Sequence, residues 1–290
     1  MTAQFVLEEE EWRTIAAAHR DRVRQWTGPH LRRRRSGTAH PVMDFLFTYY
    51  AHRPAQLERW HPGPDVVLCG DAASDYLRSR AYVQDQATGG VRLAVTELPE
   101  RFTVTAGFIR SLLAATASRQ PRLGCFGMHE WAMVYRSDRA RHEGVPLRLG
   151  AAGTDAVVER LPVHCTHHDA YRFFTDKARP LNAVAPARED QVAMEQPGCL
   201  HANMDLYKWA TKLVPLTPSS LVADCFELAV AVRELDMAAS PYDLTVYGYD
   251  PVPIETPAGR ATYARAQSDF AARAAPLRTR LVSICDRLVA

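Results

Sequence analysis

Lysine is almost missing from this 290-residue chain. It stands at 177, 208 and 212 only, so the basic side of the composition is nearly all arginine. Arginine is the better fork for phosphate and for stacking, but richness in Arg and Ala also follows from a GC-rich coding sequence. A formal net charge of +2 does not by itself imply a nucleic-acid partner. There is no run of 18 or more apolar residues, which excludes a transmembrane helix and argues against a membrane partner. The basic start of a secretory signal is missing too: Glu8 to Glu11 form an acidic block in its place, which points to a cytoplasmic protein. Six cysteines stand at 69, 125, 165, 199, 225 and 285, none within four residues of another. No CxxC zinc or redox motif exists, and reduced, mostly buried thiols are expected. GxGxxG, Walker A, GxSxG and kinase signatures are absent, which removes the usual nucleotide-cofactor and serine-hydrolase readings. No internal repeat or heptad array is evident.

What is present is ordinary globular material, 47% apolar and 23% charged. The fold class read from it is mainly α with a minor β component (α+β), a multi-helix domain over 1–290 with 1–63 as a candidate helical subdomain. Residues 8–25 have helical spacing, and Gly28-Pro29 is expected to end that helix, followed by a basic turn at Arg32, Arg33, Arg34 and Arg35. Residues 42–50, 108–117, 123–135 and 201–213 are expected as helices. Residues 218–237 give the clearest one, with Thr217 as N-cap and Leu221, Cys225, Leu228, Val232 and Leu235 on one stripe. A similar Thr256-Pro257 start opens an Ala-rich helix toward Leu288. Strands are expected at 66–69 and 91–96, extended chain at 147–149 and 156–164, and a long loop over 175–196.

Four clusters carry candidate chemistry. In the first, Glu130 sits between His129 and Trp131 in an apolar run that continues to Tyr135. Such a desolvated carboxylate suits acid–base work, although a core helix with one polar edge would look the same. The second packs His164, His167, His168 and Asp169 into six residues, a metal site, a proton-transfer site or a capped turn. Its spacing matches no standard zinc motif. In the third, His201 and Asp205 are four apart, so a helix would put both on one face with Trp209, while Tyr207 and Lys208 flank them. Asp205 is the first candidate for a catalytic carboxylate. The fourth holds Arg233 and Asp236, three apart and able to pair on the surface. The Arg32 to Arg35 run is either a solvated helix end or a phosphate contact.

The stretches His40 to Tyr50, Arg59 to Gly63, His164 to His167, Cys199 to Trp209 and Ser240 to Leu244 resemble an actinobacterial family commonly labelled 3-methyladenine DNA glycosylase. The resemblance covers most of the chain and implies hydrolysis of the N-glycosidic bond of an alkylated purine in DNA. On that reading Asp205, Glu130 and His201 are the catalytic candidates. Trp131, Tyr135, Tyr207 and Trp209 would stack on the cationic base. Lys208 and Arg32, Arg33, Arg34 and Arg35 would hold phosphates, and no cofactor is needed. The chain has neither a helix-hairpin-helix signature nor helical repeats, and the resemblance supplies no residue-level assignment. The rival reading is a non-haem iron or zinc enzyme acting oxidatively on a small molecule, with ligands drawn from His164, His167, His168, Asp169, His201 and Asp205. A non-catalytic binding protein is the third.

Overall fold

The computed structural model describes residues 5–50, 52–137, 142 and 144–289. Among them are a small sheet, β1 (Phe5–Leu7), β2 (Val66–Leu68), β3 (Tyr82–Gln84) and β4 (Val91–Leu93), and twelve α-helices. In chain order these are α1 (Glu9–Arg35), α2 (Phe45–Tyr49), α3 (Pro54–Glu58), α4 (Glu100–Ala117), α5 (Met128–Ala132) and α6 (Gly150–Arg160), then α7 (His168–Tyr171), α8 (Gln191–Met194), α9 (Leu200–Met204), α10 (Leu206–Lys212), α11 (Ser219–Ala238) and α12 (Pro257–Val289). The expected mainly helical fold with a minor sheet is what the chain adopts. The sheet order is β1-β2-β4-β3, with β1 parallel to β2 and the other neighbours antiparallel. No helix among the described residues is long and apolar enough to cross a membrane.

The helix α11 is the centre of the molecule. It contacts α9, α10, α12, α1 and α3. The apolar stripe read from its sequence is buried at Leu221, Cys225, Leu228 and Val232, but so are Phe226, Arg233 and Asp236 on its other sides. A helix buried nearly all round is a core helix rather than an amphipathic surface one. The long helices α12 and α4 pack on each other more extensively than any other pair, and α12 also packs on α11. One core cluster extends from Trp12 to Cys285, so residues 5–63 share it with the rest of the chain.

Several local expectations are corrected. The first helix runs through Gly28-Pro29 to Arg35. Pro29 removes one donor, yet the buried series Trp12, Ala16, His19, Val23, Thr27, His30 continues across it, and packing outweighs the local break. Arg32, Arg33, Arg34 and Arg35 are accordingly the last turn of α1, where cations favour the helix dipole. Helix α4 begins at Glu100, and Gly107 lies inside it; a helical Gly costs only about 1 kcal/mol. Residues 156–160, expected as extended, belong to α6, whose buried Thr154, Val157 and Val158 have the i, i+3, i+4 spacing of a helix. Only 128–132 of the 123–135 segment is α-helical. Thr217 does not cap α11: its hydroxyl is buried without a hydrogen-bond partner. The helix start is held instead by Ser219, whose N–H donates to the His61 carbonyl (2.9 Å) and whose Oγ accepts the His61 N–H (2.8 Å). Thr256 does take the role read for it, accepting the Gly259 N–H at 3.0 Å.

Two histidines of this framework make stability depend on acid. His61 meets the Tyr82 hydroxyl at 2.9 Å, and burial pushes its pKa down to about 4. Burial does the same to His52, again to about 4. A folded pKa below the unfolded value near 6.5 means that the unfolded chain binds protons first as pH falls. Stability is therefore intact above about pH 6.5 and declines toward pH 4. At pH 4.5 each histidine should cost roughly 2 kcal/mol, read as a lower urea midpoint than at pH 7. His61→Gln should flatten that dependence, and a midpoint equal at both pH values would refute the assignment.

Candidate metal centre and its cavities

Helices α5, α9 and α11 bring His129, His201 and Asp236 together. One ligand atom from each lies within 4.8 Å of the other two, and all three residues are buried. The approach to α5 turns on Gly127, whose φ of 72° lies in the left-handed region; an added Cβ would also press on the Tyr263 ring at 3.3 Å. This places His129 one helix turn beyond Cys125, whose Sγ is 3.7 Å from His129 Nδ1. The other ring nitrogen, Nε2, is 2.8 Å from Asp236 Oδ1. Despite that distance the pair lacks hydrogen-bond alignment, and both atoms are buried with no hydrogen-bond partner among the described residues. Burial opposes a charge on His129, but Asp236 beside it overcomes this and holds the imidazole well above its ordinary pKa. His201 goes the other way. Burial first, and the neighbouring His129 second, drive its pKa well below the ordinary value, so it is a neutral imidazole. The two rings meet edge to face, with centroids 4.4 Å apart.

His201 is also where two cavities meet. The larger, about 310 Å³, has His129 and His201 in its wall, together with Cys125, Cys165, Cys199 and Tyr263. The smaller, about 50 Å³, has Phe45, Tyr49, Glu130, Asp169, Arg233 and His201 among its lining. The three thiols are far apart in sequence and share no motif, yet all face one space. Burial pushes those of Cys165 and Cys199 well above the usual thiol range, so they are neutral.

Around this centre the charged residues are paired. Arg233 Nη1 lies 3.1 Å from Glu130 Oε1 and 3.7 Å from Asp236 Oδ2, and its guanidinium lies 3.9 Å from the Phe45 ring centroid. Arg233 and Asp236 were expected as a surface pair; they are 2% and 1% exposed. Their burial follows from α11 being central, which no i, i+3 spacing announces.

A second buried cluster surrounds Asp205, which is fully buried. The helix expected to run unbroken from 201 to 213 is divided at Asp205, between α9 and α10, although the Asp205 N–H still donates to the His201 carbonyl (2.8 Å) and its carbonyl accepts the Trp209 N–H (2.9 Å). Its Oδ1 accepts the Tyr50 hydroxyl at 2.8 Å and its Oδ2 accepts Lys208 Nζ at 3.0 Å. Burial would raise its pKa, but the Lys208 charge and His167 hold the carboxyl well below the usual range. Lys208 also reaches Asp169 at 2.8 Å. His167 Nε2 lies 3.3 Å from Glu195 and 3.6 Å from Asp205, and both its ring nitrogens are without a hydrogen bond among the described residues. Its ring stacks on His201 at 5.3 Å.

The other sequence candidates are dispersed. Trp131 is in the core with its indole N–H on the Ala239 carbonyl, and the Tyr135 hydroxyl donates to Glu159. Tyr207 packs edge-on against Tyr50 and Phe226, and Trp209 against Phe108. None of these four rings lines either cavity. Arg33 is bound to Asp44, while Arg32, Arg34 and Arg35 are exposed and line neither space. Of the six metal-ligand candidates only His201 is in the triad. His164 is at the exposed edge of the larger cavity, and His168 lies beside Asp169 in the Lys208 cluster. His129 and Asp236 stand in the first and fourth sequence clusters, each with an apolar residue beside it, and no local spacing links either to His201. Compared with known proteins, the chain matches no family model, no curated protein and no solved structure.

Proposed function

We propose that this chain is a metal-dependent enzyme acting on a small organic molecule, with His129, His201 and Asp236 as ligands of a divalent transition metal. The observation that carries the reading is their convergence, one ligand atom from each within 4.8 Å of the others, with His129 and His201 in the wall of a 310 Å³ cavity and Asp236 behind them. Two imidazoles and one carboxylate suit zinc or ferrous iron and leave coordination positions open for water or substrate. The misaligned 2.8 Å contact between His129 and Asp236 supports a shared third partner, since buried polar atoms normally have one. His201, held neutral by burial, is in the protonation state a ligand needs, whereas His129, held protonated by Asp236, would release its proton on binding the metal. The cavity is at the lower end of the range for small-molecule sites. Bound there, the metal would supply Lewis-acid or redox chemistry to a substrate in the cavity.

Metal analysis of protein purified without a His tag is the test. The expected result is about one equivalent of iron or zinc per chain. His201→Ala should weaken metal binding ~100-fold or more, beyond the loss typical of outer-shell changes. His164→Ala, which removes an imidazole outside the triad, should retain the metal. Wild-type protein that neither carries iron or zinc nor takes either up on titration would sink the proposal.

The glycosylase reading implied by the resemblance competes with it. In its favour, the smaller cavity joins rings (Phe45, Tyr49, Phe173) to carboxylates (Glu130, Asp169), surroundings that a cationic purine prefers. Against it, that cavity is only about 50 Å³, well below the usual ligand-site range. Release of methylated base from alkylated DNA by metal-free wild-type protein would put this reading first.

A further inference from the structure

The larger cavity has a one-sided chemistry. Among the described residues no carboxylate lines it, while Arg122, His129, His164 and His201 do. Most of the remaining surface is apolar, contributed by thiols and aliphatic side chains such as Leu200 and Val184. The guanidinium of Arg122 has no hydrogen-bond or ion-pair partner among the described residues, and the residue is exposed at the rim.

The backbone at Arg122 is, by contrast, firmly held. Gln196 Oε1 accepts the Arg122 N–H at 2.8 Å and the Gly198 N–H at 2.7 Å, and Gln196 Nε2 donates to the Arg122 carbonyl at 3.2 Å. Gly198 permits the approach, because a Cβ there would lie 2.6 Å from the Arg122 carbonyl oxygen. The segment carrying Arg122 is thereby tied to the chain entering α9, the helix that bears His201. The cation thus has a fixed origin at the rim, which lowers the ordering cost of gripping an anion.

We infer that the larger cavity takes a small, mainly apolar carboxylate, its anionic end on Arg122 and its apolar body along the thiol and aliphatic wall toward His201. This rests on the cavity named above as the reaction space, but not on the metal being there. A guanidinium is well shaped for two parallel bonds to a carboxylate, and a wall without carboxylates gives a cationic ligand no ion-pair partner.

Calorimetric titration with three probes of similar shape tests it: benzoate, benzamide and benzylamine, near neutral pH, on protein as purified and after chelator treatment. Benzoate should bind about tenfold or more tighter than benzamide, as charge-assisted pairing predicts, and benzylamine should not bind. Arg122→Gln should weaken benzoate by about tenfold, leave benzamide unchanged and leave the melting temperature where it was. Benzylamine binding as tightly as benzoate, or no probe binding at all, would overturn the inference. So would benzoate binding that a chelator abolishes and Arg122→Gln leaves untouched, because the anion would then be on the metal. Benzoate binding that survives in metal-free protein and falls in Arg122→Gln supports the inference even where the metal proposal has failed.

Discussion

Arg233→Ala is expected to destabilise the protein by about 3–5 kcal/mol, the usual cost of leaving buried charges without their partner. Arg233 is the cation between Glu130 and Asp236, at 3.1 and 3.7 Å, and all three are almost wholly buried. Its Nη2 also donates to the Pro41 carbonyl, which ties the segment before α2 to α11. Removing the guanidinium takes the nearby cation from two carboxylates, Glu130 and Asp236, in a low-dielectric core. Against a total stability of roughly 5–15 kcal/mol, this is a large fraction, and the melting temperature should drop by about 10 °C. Arg233→Met should restore little, because it replaces packing and not charge. Denaturant unfolding of the three proteins decides the matter. A loss under about 1 kcal/mol for Arg233→Ala would mean that the carboxylates are relieved by water or by protonation.

Asp205→Asn should behave as a structural lesion, with a loss of about 2–4 kcal/mol. The carboxylate takes a hydrogen bond from Tyr50 and another from Lys208, with His167 at 3.6 Å. An amide keeps one acceptor, loses the charge that faces Lys208 and adds a donor where donors already converge. Asp205 lines neither cavity, so metal content per folded chain should not change. A catalytic carboxylate would behave differently, with an intact fold and activity lower by roughly 100-fold. Melting temperature, bound metal and activity measured on one variant separate the two. A variant as stable as wild type but inactive would return Asp205 to the reaction.

The sequence by itself determined the fold class, the central helix α11, the final helix with its Thr256-Pro257 start and two of the four strands. These features come from contiguous periodicity and from turn chemistry, which a linear chain displays directly. The segments that meet at the candidate centre are also marked in the sequence, since histidines and acids beside apolar residues must be satisfied by something distant. Tertiary packing alone decided which of them meet. His129, His201 and Asp236 are 72 and 35 residues apart in succession, and no local spacing rule spans such gaps. Packing likewise carried α1 through Pro29 and surrounded Asp205 with Tyr50, Lys208 and His167. It also buried Arg233 and Asp236, because what a side chain on α11 faces depends on the helices laid around it. The cavity that Cys125, Cys165 and Cys199 share is the same kind of result: three isolated thiols with no motif, gathered into one wall by the way α5, α9 and the segment before α7 pack together.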